Sequence, residues 1–264
     1  MSHLYKDTLQ ITLHADKVEL CRRSGRLKPR PPVHAVQALT SKASATVTAG
    51  VLDTLEQMLQ APQWRGVDVE VVLSNALVCY AIVPASSEVL AANDELALAQ
   101  LKFRQIHGPS DVLWEIRLGN MLAGSDQVAA ALEKDFLARL REVLLSAQLR
   151  IRSVEPALMR GFNRMRGKLA GPDAWFVQAE PGLVLLAHLR SGAWTSLTAL
   201  PSESPLAQCL PALLREASLL AGQDVQQERV YLDAVGVDTQ GLDTLTGLNL
   251  SVLARQAGMA RARP

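Results

Sequence analysis

The stretch from Ala174 to Leu200 constrains the fold more than any other part of this sequence. Apolar runs are separated there by two short turn signals, Glu180-Pro181-Gly182 and Ser191-Gly192. Proline presets φ and glycine tolerates a positive φ, so each signal favours a tight reversal of the chain. The pattern therefore predicts a β-meander with strands over 175–179, 183–189 and 193–199.

The elements around this meander indicate a repeated unit. After it, the sequence predicts a helix from about 205 to 221, a strand, a short helix and a final strand that ends near 253. The first part of the chain has the same order. Its predicted elements are strands over 8–14, 18–21 and 33–39, a helix over 46–60, a strand over 67–73, a helix over 126–150, a strand over 151–154 and a helix to about 169. Each half then follows the order β-β-β-α-β-α-β, although the two halves share no notable sequence identity.

A strand over 77–83, a helix over 88–106 and a strand over 112–118 interrupt the order of the first half. We therefore predict an inserted α/β subdomain at about 74–124. Gly171-Pro172-Asp173 marks the predicted boundary between a first half, residues 1–170, and a second half, residues 171–264. Three aromatic residues of the insertion, Tyr80, Phe103 and Trp114, either form its small core or line a groove for a partner's peptide.

Composition excludes several classes of protein. The 27 basic and 26 acidic residues leave a net charge of +1, which gives no electrostatic footprint for nucleic acid. The three cysteines have no metal-ligand spacing. Early charges exclude a signal peptide, and no apolar run reaches the roughly 18 residues of a membrane span. These features predict a cytoplasmic protein.

Three short motifs stand at informative places: 72–80 with Pro84, Ser153-Val154-Glu155-Pro156 with Phe162-Asn163-Arg164, and Glu180-Pro181-Gly182. Together with the order of elements, they resemble the actin-like ATPase superfamily, in its bacterial branch related to the cell-division protein FtsA. Within that branch the sequence is similar to the pilus-assembly protein PilM and to the cytoplasmic domain of the secretion protein GspL. The resemblance implies an α/β actin-like fold, a duplicated RNase H-like βββαβαβ unit with a subdomain inserted in the first half.

The resemblance also implies where a nucleotide would bind. In this superfamily the first hairpin of each half holds phosphate with a carboxylate, glycines and hydroxyl groups. The first hairpin turn here, His14-Ala15-Asp16-Lys17, has neither glycine nor hydroxyl, and Pro181 removes an N–H group between Glu180 and Gly182. Only Gly236 remains of the glycine pair expected at the adenosine.

Asp16, Glu180, Gly182 and Gly236 are therefore the candidate residues of a degenerate nucleotide site. We expect ATP and magnesium to bind weakly or not at all, with no ATP hydrolysis and no other metal site. RNase H-like nucleases share the half-fold but need a carboxylate in the first strand, and residues 9–13 contain none.

The function that the resemblance implies is that of a non-catalytic cytoplasmic scaffold for type IV pilus or type II secretion assembly. It would bind a short cytoplasmic peptide of an inner-membrane partner, in a groove between the first half and the insertion, so that residues 77–118 carry much of the site. Two alternatives stay open. One is an active ATPase or sugar-kinase-like phosphotransferase in which Glu180 or Asp16 positions magnesium. The other is an inert homo-oligomer.

Overall fold

The computed structural model describes residues 7–25, 30–39, 46–85, 92–108, 112–119, 125–169, 171–222, 228–245 and 247–255. The chain divides into two compact units. The first comprises Met1–Cys79, Asp111–Glu115 and Ala131–Ala157, and the second comprises Tyr80–Ser110, Ile116–Ala130 and Leu158–Pro264.

Both parts of the chain contain strands and helices. Up to residue 169 they are β1 (Thr8–Leu13), β2 (Lys17–Arg23), β3 (Val33–Ala38), α1 (Val47–Met58), β4 (Asp68–Leu73), β5 (Cys79–Val83), α2 (Ala92–His107), β6 (Trp114–Leu118), β7 (Gln127–Glu133), α3 (Lys134–Ser146), β8 (Arg150–Pro156) and α4 (Ala157–Leu169). They continue with β9 (Ala174–Glu180), β10 (Gly182–Arg190), β11 (Ala193–Ser202), α5 (Leu206–Ala221), β12 (Arg229–Val235) and β13 (Asn249–Arg255). Short 3-10 helices occupy Pro62–Trp64, Asn75–Leu77 and Leu242–Thr244.

Two of the sheets have the same topology. The strand order is β3-β2-β1-β4-β8 in one five-stranded sheet and β11-β10-β9-β12-β13 in the other. In each, the first three strands form an antiparallel meander and the last two run parallel to its first strand. The predicted duplication of a βββαβαβ unit is therefore confirmed.

The meander of the second unit forms at the turns that the sequence predicted. Gly182 has φ +80°, and the reversal between β10 and β11 has φ +50° at Ser191 and +82° at Gly192. Positive φ at both central residues is the geometry of a type I′ hairpin turn, whose twist matches that of paired strands.

Strand β9 is the centre of the second sheet, and every one of its residues is buried. One face, with Trp175, Val177 and Ala179, packs against the apolar face of α5. The opposite face, with Ala174 and Phe176, packs against α4. A strand covered on both faces needs apolar residues at nearly every position, as β9 has.

One predicted helix is wrong in its first third. The segment Gln127–Glu133 is strand β7, in the middle of a three-stranded sheet of order β5-β7-β6, and the helix begins only at Lys134. The segment contains Ala129, Ala130 and Ala131, and alanine is the strongest helix former. Pairing with two flanking strands overrides that local preference.

The other differences concern element ends. The 3-10 turn Asn75–Leu77 occupies the predicted start of β5, and a single 3-10 turn, Leu242–Thr244, replaces the short helix predicted near residue 239. The predicted start of α2, near residue 88, lies outside the described residues. Among the helices that are described, none is long and apolar enough to cross a membrane.

Candidate functional site

Three of the four predicted nucleotide-site residues lie together at one end of the second sheet, where strands β9 and β12 finish. Glu180 ends β9 and is only 4% exposed, and Gly182 follows it in the turn. Gly236 follows β12, the parallel neighbour of β9, and a Cβ on Gly236 would lie 3.9 Å from Pro181 Cγ. Carboxyl ends of parallel strands are where open α/β sheets bind ligands.

A cavity of about 280 Å³ opens at this end of the sheet. It is lined by Ala179, Glu180, Pro181, Gly182, Val184, Ser202, Glu203, Ser204, Pro205, Leu206, Val237 and Asp238. Three of these residues are acidic, two are serines, and none is lysine, arginine or histidine. The cavity therefore joins the turn after β9 to the segment after β12 and to the start of α5.

The lining is a poor complement to a polyphosphate. Glu180, Glu203 and Asp238 give the lining three carboxyl groups and no side-chain cation, so a phosphate group there would need a metal ion beside it, and Pro181 has no N–H to donate. The N-terminus of α5, at Leu206, and the hydroxyl groups of Ser202 and Ser204 are the features of the lining that favour an anion. Within the described residues there is no group of three or more His, Cys, Asp or Glu placed to hold a metal ion.

The fourth residue, Asp16, belongs to the first unit and is exposed in the turn between β1 and β2. The His14 N–H donates to Lys17 O over 2.9 Å and closes this turn. Lys17 Nζ lies 2.7 Å from Glu19 Oε1, and His14 Nε2 lies 3.5 Å from the same oxygen. His14, 3.5 Å from this carboxylate, and then Lys17 lower the pKa of Glu19 to about 2, although burial opposes them. The cation of this turn is therefore neutralised by Glu19.

The sequence did not predict a buried polar group on the neighbouring strands β9 and β12, close to the end of the sheet where the cavity lies. Asp233 on β12 is 1% exposed and pairs in register with Gln178 on β9. Gln178 Nε2 donates to Asp233 Oδ2 over 3.2 Å, and Arg164 Nη2 on α4 lies 3.4 Å from the same oxygen. Burial raises the pKa of Asp233, and Arg164 and Gln178 partly offset that rise.

The three aromatic residues proposed for partner binding have different surroundings. Phe103 is 3% exposed, which is the core alternative that the sequence left open. Tyr80 is half-buried and packs with Ile82 against the α4 side of the second sheet. Trp114 is also half-buried, at the start of β6.

Ser202, Glu203, Ser204 and Asp238 line the cavity but were not predicted. The meander itself held the signal for the first three. Strand β11 runs antiparallel to β10, and β10 antiparallel to β9, so the C-terminal ends of β9 and β11 lie at the same end of the sheet. Ser202, at the end of β11, and Ser204, just after it, therefore had to lie near Glu180.

Solved structures with this architecture exist despite low sequence identity. A Bacteroides thetaiotaomicron protein described as having an actin-like ATPase fold and unknown function matches over 96% of this chain and 94% of its own, with 13% identity and a TM-score of 0.62. This chain has an actin-like fold. The predicted fold class is therefore confirmed.

Two further structures carry the likeness that the motifs predicted. A chain of the PilM–PilN type IV pilus biogenesis complex matches over 93% of this chain and 88% of its own, with 18% identity and a TM-score of 0.60. The cytoplasmic domain of EpsL, an inner-membrane component of the Vibrio cholerae type II secretion system, matches over 97% and 87%, with 12% identity and a TM-score of 0.50. The predicted resemblance to pilus and secretion proteins is thus confirmed as a likeness of fold.

No protein-family model matches the sequence, and no curated protein matches it.

Proposed function

We propose that this chain is a non-catalytic actin-like scaffold that serves type IV pilus or type II secretion assembly. It acts in the cytoplasm, beside the inner membrane, by binding a short cytoplasmic peptide of an inner-membrane partner. The observation that carries the non-catalytic part is the cavity at Glu180, whose lining has three carboxylates and no basic residue. A polyphosphate placed there without magnesium would be repelled by the carboxylates.

The fold neighbours support the assembly part of the proposal. One is described as part of a pilus biogenesis complex and another as an inner-membrane component of a secretion system. The first hairpin supports the absence of phosphate binding, because Glu19 already neutralises Lys17. The competing function is an ATPase or phosphotransferase, in which Glu180 or Asp16 would position magnesium.

A thermal-unfolding scan with and without millimolar Mg-ATP separates these functions. A ligand present at about 100 times its dissociation constant stabilises a protein by about 2.7 kcal/mol, which is a clear shift of the midpoint. We expect no shift. The Glu180→Gln variant is the matched control, because it removes one of the repelling carboxylates at nearly constant volume. A magnesium-dependent shift of the wild-type midpoint would restore the ATPase function.

The peptide-binding part is tested on the residues of 77–118 that are not fully buried. We expect Tyr80→Ala and Trp114→Ala to lose co-purification with an inner-membrane pilus or secretion protein from detergent-solubilised membranes. Val36→Ala, at a 62% exposed site on β3, should keep it. Circular dichroism confirms that each variant is folded. Full binding by both aromatic variants would place the peptide site elsewhere.

A further inference from the structure

Helix α4 carries charge of one sign only. Its 13 residues include four basic ones, Arg160, Arg164, Arg166 and Lys168, and no acidic residue. The other described α-helices differ, because α2, α3 and α5 contain residues of both signs and α1 contains acidic residues only. On a chain whose net charge is +1, α4 is therefore a local concentration of positive charge.

The basic residues lie on the side of α4 that faces solvent. The apolar side of the helix packs against the second sheet. On the other side Arg164, Arg166 and Lys168 are exposed, and Arg160 is half-buried. Arg164 Nη2 lies 3.4 Å from the buried Asp233 carboxylate, whereas Arg166 and Lys168 make no ion pair within the described part of the chain. At least these two charges are therefore left for an external anion.

The stability of the helix does not account for this arrangement. Arg166 and Lys168, in the last turn, interact favourably with the helix dipole, but Arg160 and Arg164 lie before that turn. Arg160, Arg164 and Lys168 also recur at intervals of four residues, and like charges at that spacing repel one another on a helix. An anionic surface laid against α4 would relieve this repulsion.

We propose that the exposed side of α4 binds directly to a membrane surface that contains anionic phospholipids. Its basic residues contact the phosphate groups of the lipid headgroups. Clusters of roughly four to eight basic residues on an amphipathic helix are typical of proteins that bind acidic phospholipids. The contact is peripheral, because the apolar side of α4 is already buried against the second sheet and cannot insert into the bilayer.

The character of the surface favours a membrane over the other anionic macromolecules. Protein partners are usually held by apolar or aromatic anchors, and among the described residues no exposed large apolar side chain lies on α4. An anionic lipid surface attracts basic residues without such anchors. Nucleic-acid-binding domains are usually basic as a whole, whereas the isoelectric point of this sequence is about 7.8.

Co-sedimentation with lipid vesicles tests the proposal. The wild-type protein should sediment with vesicles of phosphatidylglycerol and phosphatidylcholine in equal parts, but not with phosphatidylcholine alone. Salt at about 0.5 M should release it, because salt screens exposed charges. Arg166→Gln combined with Lys168→Gln should lower the partitioning roughly 25-fold, since each basic residue near an anionic surface contributes about a factor of five. The matched control is Lys134→Gln combined with Arg141→Gln on α3, another 13-residue helix, which should bind like the wild type.

The vesicles contain no protein, so this test is independent of the proposed scaffold function and of its peptide. Circular dichroism confirms that both double variants are folded, and Arg166→Lys combined with Lys168→Arg, which keeps both charges, should keep vesicle binding. A wild-type protein that does not bind the anionic vesicles, or a glutamine double variant that binds them as the wild type does, would overturn the proposal. So would preferential binding of a polyglutamate peptide or a DNA duplex, because α4 would then serve a different macromolecule.

Discussion

Gly161→Ala is expected to destabilise the protein, although alanine is normally the better helix former. Gly161 lies on the buried face of α4, and a Cβ there would come within 2.6 Å of Asp233 Oδ2, 2.8 Å of Gln178 Nε2 and 3.2 Å of Phe176 Cζ. All three side chains are buried and cannot move into solvent. Overpacking of this kind costs about 1–3 kcal/mol, which outweighs a gain in helix propensity of about 1 kcal/mol.

The same helix contains the matched control. Gly167 is exposed, and no described atom lies within 4 Å of the position of its Cβ. Gly167→Ala should therefore stabilise the protein by about 0.5–1 kcal/mol through helix propensity. Urea unfolding of both variants measures the difference. If Gly161→Ala were as stable as Gly167→Ala, the close packing of α4 over Asp233 and Gln178 would be wrong.

The meander was predictable from sequence because its turns are decided locally. Gly182 and the Ser191-Gly192 pair have positive φ, and the residues between the turns are apolar enough for a strand with buried residues on both faces. Strand β7 was not predictable in this way. Its run of alanines favours a helix, and the pairing with β5 and β6 that makes it a strand comes from residues outside the segment itself.

The candidate site shows the same limit. Glu180, Gly182 and Gly236 could be predicted from turn chemistry and the order of elements, and the structure brings them together at one end of the second sheet. The group of Asp233, Gln178 and Arg164 could not be predicted. It depends on the register of β12 against β9 and on the face of the sheet that α4 covers, and neither follows from the pattern of a single segment.

Helix α4 shows most clearly which part of the fold the sequence could not predict. Its buried residues, among them Leu158, Phe162 and Met165, form one apolar cluster with Phe176 and Trp194 of the second sheet. The sequence shows an amphipathic helix that precedes the predicted boundary at residue 170. Amphipathic spacing fixes which face of a helix is buried, but not which sheet it is buried against.

Phe162→Ala should therefore destabilise the second unit more than any surface change in the same helix. The Phe162 ring centroid lies 4.6 Å from that of Trp194 and 6.2 Å from that of Phe176, and the side chain is 5% exposed. Truncating a buried phenylalanine to alanine costs about 3–5 kcal/mol through lost burial and the cavity left behind. The exposed neighbour Asn163 is the control, and Asn163→Ala should change the unfolding free energy by about 0.5 kcal/mol or less.

The place of the lost stability distinguishes α4 as part of the second unit from α4 as a connecting segment. In Phe162→Ala, amide hydrogen exchange should accelerate in β10 and β11, because Leu185, Leu189 and Trp194 lose the side chain that covers them. Exchange in β1 and β2, which belong to the first unit, should change least. Unchanged protection of β10 and β11, with a free energy of unfolding like that of Asn163→Ala, would mean that α4 contributes little to the core of the second sheet.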